Sequence, residues 1–167
     1  PCTSDSDATL LDRKAEVAAR ELTKCTLCGC LCGVNRYEKP GRCGLKDDGF
    51  YSRIYTHICE ERPLTPCVVV HLAGCGLRCK GCQSFEALTV PNNAKKLGPS
   101  IWPEMRATSG FDKAVAVEFV GGSPDENLYP VLYSLQFAPA EFSLPIVWNC
   151  HGFATRLVYC ILDGVVD

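Results

Sequence analysis

No run of about 18 or more apolar residues, the length a membrane-spanning helix needs, occurs in the 167-residue chain. No membrane partner is therefore expected. The start, PCTSDSDATLLDRK, is polar and lacks the apolar region of a signal peptide. It also lacks an initiator Met, so trimming or a fragment is expected. Charge of one sign is scarce: 17 basic against 19 acidic residues leave a net charge of −2. That balance gives no sign of a nucleic-acid partner. A steady helical period is missing from residues 89–113, where Pro91, Gly98, Pro99, Pro103 and Gly110 interrupt the pattern. A short helix around Pro103 to Ala107 is expected there; the rest reads as loop or as the scar of a deletion.

What the chain has in excess is cysteine, 13 residues in all. Such a load fits either a disulfide framework in a secreted chain or metal ligation in a reducing compartment. The odd count, the missing secretory signal and seven cysteines in metal-type spacings favour a reduced, cytoplasmic protein. An apolar content of 47% can supply the core of a single domain.

Val68 to Gln83, VVVHLAGCGLRCKGCQ, organises the rest. An apolar β-branched run ends at Gly74, and Cys75, Cys79 and Cys82 follow as Cys-x3-Cys-x2-Cys. Three thiolates from one loop can hold three irons of a four-iron cluster, leaving the fourth without a protein ligand in the motif. An open coordination position allows chemistry where a filled one does not. A second group, Cys25, Cys28, Cys32 and Cys43 with Gly29, Gly33, Gly41 and Gly44 between, fits a tetrahedral zinc or a four-iron cluster. Its spacing does not choose the metal. Cys30 is a fifth, unpatterned thiol, and His57 is a lone histidine that reads as structural before it reads as a ligand.

Residues 5–23 read as a packing helix, with Leu11, Ala15, Ala18 and Leu22 on one face and Ser6 or Asp7 as cap. Phe50 to Ile58 alternates as a strand, expected in a small hairpin that joins a cysteine-rich lobe, residues 1–66, to a main domain, residues 67–167. Val68–Leu72, Ala116–Val120 and Ile146–Trp148 read as buried parallel strands, with Val165-Val166 opening a fourth. A helix with Pro130 in its first turn and Leu128, Leu132 and Leu135 on one face lies between the second and third. Another, Thr155 to Leu162, follows with Val158, Ile161 and Leu162 inward. Strand and helix in alternation predict an α/β fold with right-handed crossovers. The loops after its strands carry the unusual residues, and ligand sites of parallel α/β folds lie at that edge.

The motifs resemble those of the radical S-adenosylmethionine (SAM) proteins, in particular the pyruvate formate-lyase activating enzyme-like group. The resemblance runs through Cys25 to Arg36, Gly41 to Gly44, the stretch from His57 to Pro63, the three-cysteine loop with Gln83, Phe119 to Pro124, Val147 to Asn149, and Leu162 to Asp167. It implies the first half of a partial (β/α)6 barrel. It also implies a 4Fe-4S cluster on Cys75, Cys79 and Cys82 whose open iron binds SAM. The reduced cluster would cleave SAM to methionine and a 5′-deoxyadenosyl radical that abstracts hydrogen. By the same resemblance, Gly81, Cys82 and Gln83 lie against adenine. Gly121 and Gly122 let the backbone approach the SAM amino group while Pro124 stiffens that turn, and Asn149, Cys150, His151 and Gly152 form a third-strand contact. A low-potential flavodoxin or ferredoxin is the implied electron donor, and a glycyl-radical enzyme the implied substrate.

Three residues depart from that pattern. Gly81 stands where a large apolar residue is usual, Ser123 replaces the usual Glu of the Gly-Gly-Glu-Pro form, and His151 replaces an Asn. Two alternatives stand beside the enzyme reading. One is an iron–sulfur or zinc protein without SAM turnover. The other is a thiol redox protein using Cys25 and Cys28 or Cys79 and Cys82, disfavoured because neither pair opens a helix after a strand.

Overall fold

The structure is a computed structural model and describes residues 8–167. Its centre is a five-stranded open sheet of β1 (Phe50–His57), β2 (Cys67–Ala73), β3 (Lys95–Lys96), β4 (Ala116–Val120) and β5 (Ile146–Trp148), in the order β3-β1-β2-β4-β5. Four helices accompany it: α1 (Leu10–Glu21), α2 (Ile101–Ala107), α3 (Leu128–Leu135) and α4 (Arg156–Leu162). The fold is mixed α/β. β2, β4 and β5 run parallel, Val68 opposite Val117 and Val117 opposite Ile146. All seven residues of β2, the middle strand between β1 and β4, are buried.

The two faces of the sheet differ. Val68, Val70 and Leu72 of β2, Val117 and Phe119 of β4, and Ile146 of β5 meet buried residues from all four helices in one core. Each such side chain contributes roughly 1.5–3 kcal/mol by leaving water. The opposite face holds a small apolar cluster of Cys67, Val69 and Ala116, then turns polar through Arg53, His71 and Glu118. Helices on one face and polar groups on the other leave the second face available for a ligand.

Several expectations need correction. α1 begins at Leu10, capped by Thr9, whose hydroxyl accepts from the Asp12 N–H while the Asp12 carboxylate accepts from the Thr9 N–H. The expected caps Ser6 and Asp7 lie outside the described residues. β1 is no separate hairpin: it pairs antiparallel with β2 along its length, with an irregularity between Tyr51 and Arg53. The helix expected at Pro103 to Ala107 starts two residues earlier. Pro103 falls in its first turn, where its missing N–H is harmless, and Trp102 Nε1 donates to the Ser134 carbonyl of α3 at 2.8 Å. Val165-Val166 forms no strand; both amides donate to the Leu162 carbonyl as the end of α4 unwinds. Among the described residues, no helix is long and apolar enough to cross a membrane.

Candidate metal and cofactor site

Because β2, β4 and β5 point the same way, the loops that follow them share one rim. The Ser123 N–H donates to the Gly74 carbonyl at 2.9 Å, and Asn127 Nδ2 donates to the Ala73 carbonyl at 3.0 Å. The turn after β4 is thereby fastened to the start of the three-cysteine loop. Gly122 has φ +47°, and a Cβ there would lie 2.8 Å from the Gly74 oxygen. Gly121, φ +74°, lies under the His71 ring, 2.6 Å from where its Cβ would be. Both positions require glycine. Pro124 is buried at the start of the short helical turn that follows. From the third loop, His151 Nε2 comes 3.9 Å from Cys75 Sγ. Asn149 hangs from the Phe119 carbonyl at 3.1 Å and donates through Nδ2 to Glu118 at 2.6 Å. Cys150 is half-buried and Gly152 exposed on the same rim.

Within the three-cysteine loop, Cys75 is buried, Cys82 half-buried and Cys79 exposed. Burial pushes the Cys75 thiol up, and the Leu77 and Arg78 amides aimed at its sulfur oppose that rise. The Cys82 N–H closes a turn on the Cys79 carbonyl at 3.3 Å. Gly81 has open space where a Cβ would stand, and Gln83 lines a cavity of about 410 Å³ with His71, Glu118 and Asn149. Among the described residues, four buried side-chain polar atoms lack a hydrogen-bond partner, and three of them, Ser123 Oγ, Asp125 Oδ2 and Asn127 Oδ1, belong to the turn after β4. Unpartnered acceptors at such depth are costly unless something donates to them.

Within the second cysteine group, Cys28 gathers with residues outside that group. Cys32 and Cys43 bring their sulfurs within 3.5 Å of the same point beside Gly41. Burial pushes the Cys43 thiol up to about 11. Cys28 turns elsewhere. An antiparallel bridge to Ala154 and the Gly29 N–H on the Phe153 carbonyl at 2.8 Å draw it toward the rim after β5. There Cys28, Cys30 and Glu126 place their ligand atoms within 4.8 Å of one another. Among the described residues, neither Cys75, Cys79 and Cys82 nor Cys25, Cys28, Cys32 and Cys43 gathers as closely. His57 pairs with Glu60 at 3.4 Å and belongs to no ligand group.

Sequence reading missed the acids of this rim. Glu126 is buried and receives the Gly76 N–H on both oxygens, at 3.0 and 2.9 Å. Burial raises its carboxyl, against donation from Cys28 and Gly76 and the nearby Arg36. Arg36, fully buried, donates to the carbonyls of Glu126 at 2.7 Å and Lys46 at 2.8 Å. Asp125 accepts from Trp148 Nε1 at 2.9 Å. Glu118 accepts from Asn149 and from Cys67, whose thiol is pushed up to about 12 by burial and this carboxylate. A charged residue inside the apolar run AVEFV was the available signal for Glu118, and an acidic pair directly after a glycine turn was the signal for Asp125 and Glu126.

No family model matches the chain, and no solved structure matches it. The chain is similar to an uncharacterized protein of Methanocaldococcus jannaschii, 32% identical over 164 residues. The match covers 95% of this chain and 47% of that protein, so the chain spans about half the length of the curated relative it matches.

Proposed function

We propose that the chain is a radical SAM iron–sulfur protein resembling the pyruvate formate-lyase activating enzymes, its sheet forming the first part of a partial (β/α) barrel. The observation that carries the reading is the shared rim. The Cys75 loop, the Gly121-Gly122 turn and His151 come from three parallel strands, and Gly122 packs against the loop's own first carbonyl. Helices lie on one face of the sheet and polar groups on the other, as a barrel wall has them.

The residues fit the cofactors by their chemistry. Cys75, Cys79 and Cys82, which follow β2 as one loop with Cys75 buried at its start, would hold a 4Fe-4S cluster. When bound, the cluster and SAM supply reductive cleavage of a carbon–sulfur bond and hydrogen abstraction. The protein positions and shields. The Leu77 and Arg78 amides stabilise charge on Cys75 sulfur. Gly121 and Gly122 admit close backbone approach. The cavity of about 410 Å³ between Arg53, His71 and Glu118 gives a substrate room with groups of both charges. A low-potential flavodoxin or ferredoxin would supply the electron, and a glycyl-radical enzyme is the proposed substrate.

A second reading, a metal-binding protein without SAM turnover, draws support from Cys28, Cys30 and Glu126, which gather more closely than the loop cysteines do. Anaerobic reconstitution with iron and sulfide separates the two. The parent chain should gain about four irons and lose them when Cys75, Cys79 and Cys82 are all changed to Ala. Equal iron and sulfide in that variant would refute the assignment.

A further inference from the structure

We infer that Cys28, Cys30 and Glu126 form a separate site for a zinc-class divalent ion, which fastens the amino-terminal cysteine segment to the three-cysteine loop. The inference does not depend on SAM chemistry. Its ligand set also differs from the one that spacing suggests, because it takes in Cys30 and Glu126 and leaves out Cys25, Cys32 and Cys43.

The local fold builds this set. Leu31 adopts φ 42°, and its N–H returns to the Cys28 carbonyl at 2.9 Å. That tight turn folds Cys30 back beside Cys28. Gly29 lies against the Phe153 ring, 2.6 Å from where a Cβ would be, so the segment sits hard on the rim. Glu126 arrives from the turn after β4, with both carboxylate oxygens held by the Gly76 N–H. The Arg36 guanidinium is bonded to the Glu126 backbone carbonyl and not to its carboxylate. Gly76 closes the group. A Cβ there would stand 2.7 Å from a Glu126 oxygen and 3.0 Å from Cys30 Sγ, against two of the three ligand atoms.

The donor set selects the ion. Two thiols and a carboxyl, with Cys28 and Glu126 buried and Cys30 half-buried, suit zinc, while magnesium and calcium prefer all-oxygen sites. Binding displaces the two thiol protons to solvent and leaves a fourth tetrahedral position to water. Since Gly76 is the residue after Cys75, an ion here would set where the three-cysteine loop leaves β2.

Cobalt(II), whose thiolate charge-transfer bands report sulfur ligation, tests the site in the full chain and in a background with Cys75, Cys79 and Cys82 changed to Ala. The background variant should bind one equivalent, and the full chain at least one. Cys30→Ser, Glu126→Gln and Gly76→Ala should each weaken binding at least about tenfold, while Cys32→Ser leaves it unchanged. Circular dichroism of the metal-free proteins checks folding, and the nearly isosteric Glu126→Gln keeps the test decisive if a cysteine variant misfolds. Three outcomes would overturn the site: unchanged cobalt bands in Cys30→Ser with loss in Cys32→Ser, no binding in the background variant, or a Cys28–Cys30 disulfide in place of bound metal.

Discussion

At Gly122, φ +47° and a backbone oxygen 2.8 Å from the Cβ position leave a larger residue no room to yield. Gly122→Ala should therefore cost about 1–3 kcal/mol in urea unfolding. It should also disturb the join between the β4 turn and the cysteine loop. Gly81→Ala, with open space around it, should change stability by less than about 0.5 kcal/mol. His71 is a second residue with a readable consequence. Burial, then the Arg53 charge, pulls its pKa below the ordinary 6.5, while Ser52 and Ser84 bond its ring nitrogens. The folded ring takes up a proton less readily than the unfolded one. Its contribution is thus complete above about 6.5 and is lost as pH falls toward the depressed folded value. Unfolding free energies measured across pH 4–8 should show that loss in the parent and a shallower slope in His71→Gln; parallel curves would remove this role.

Elements were legible where periodicity and burial agree. The run Val68 to Leu72 read correctly as a buried strand parallel to β4, though it also pairs antiparallel with β1. The face of α1 was readable for a related reason: Ala15, Ala18 and Leu22, spaced by helical turns, all reach the core. Its start at Leu10 rests on the reciprocal bond of Thr9 with Asp12, a capping pair that the reading of Ser6 or Asp7 as cap passed over. Thr9→Ala should cost about 1 kcal/mol by chemical denaturation, and no change would place the cap elsewhere. The second cysteine group was the harder problem. Spacing puts Cys28 with Cys25, but the pairing of Cys28 with Ala154 turns it toward Glu126. No local pattern carries that long-range choice. β1 misled in the same way, since an alternating strand does not name the partner it pairs with.

For the molecule as a whole, the sheet is open and mixed α/β, and the similar M. jannaschii protein is about twice as long. β5 contributes three residues at one edge, where Asp167 bonds both polar groups of the Ile146 backbone. A further strand laid beside β5 would cover that edge. The isolated chain should therefore bind SAM weakly even with its cluster in place. The most direct test is the electron paramagnetic resonance of the anaerobically reconstituted, reduced chain, recorded without and with SAM. The account predicts a 4Fe-4S signal that changes shape when SAM ligates the open iron, and that vanishes with Cys75, Cys79 and Cys82 changed to Ala. A signal indifferent to saturating SAM, or one that persists in the triple variant, would contradict it.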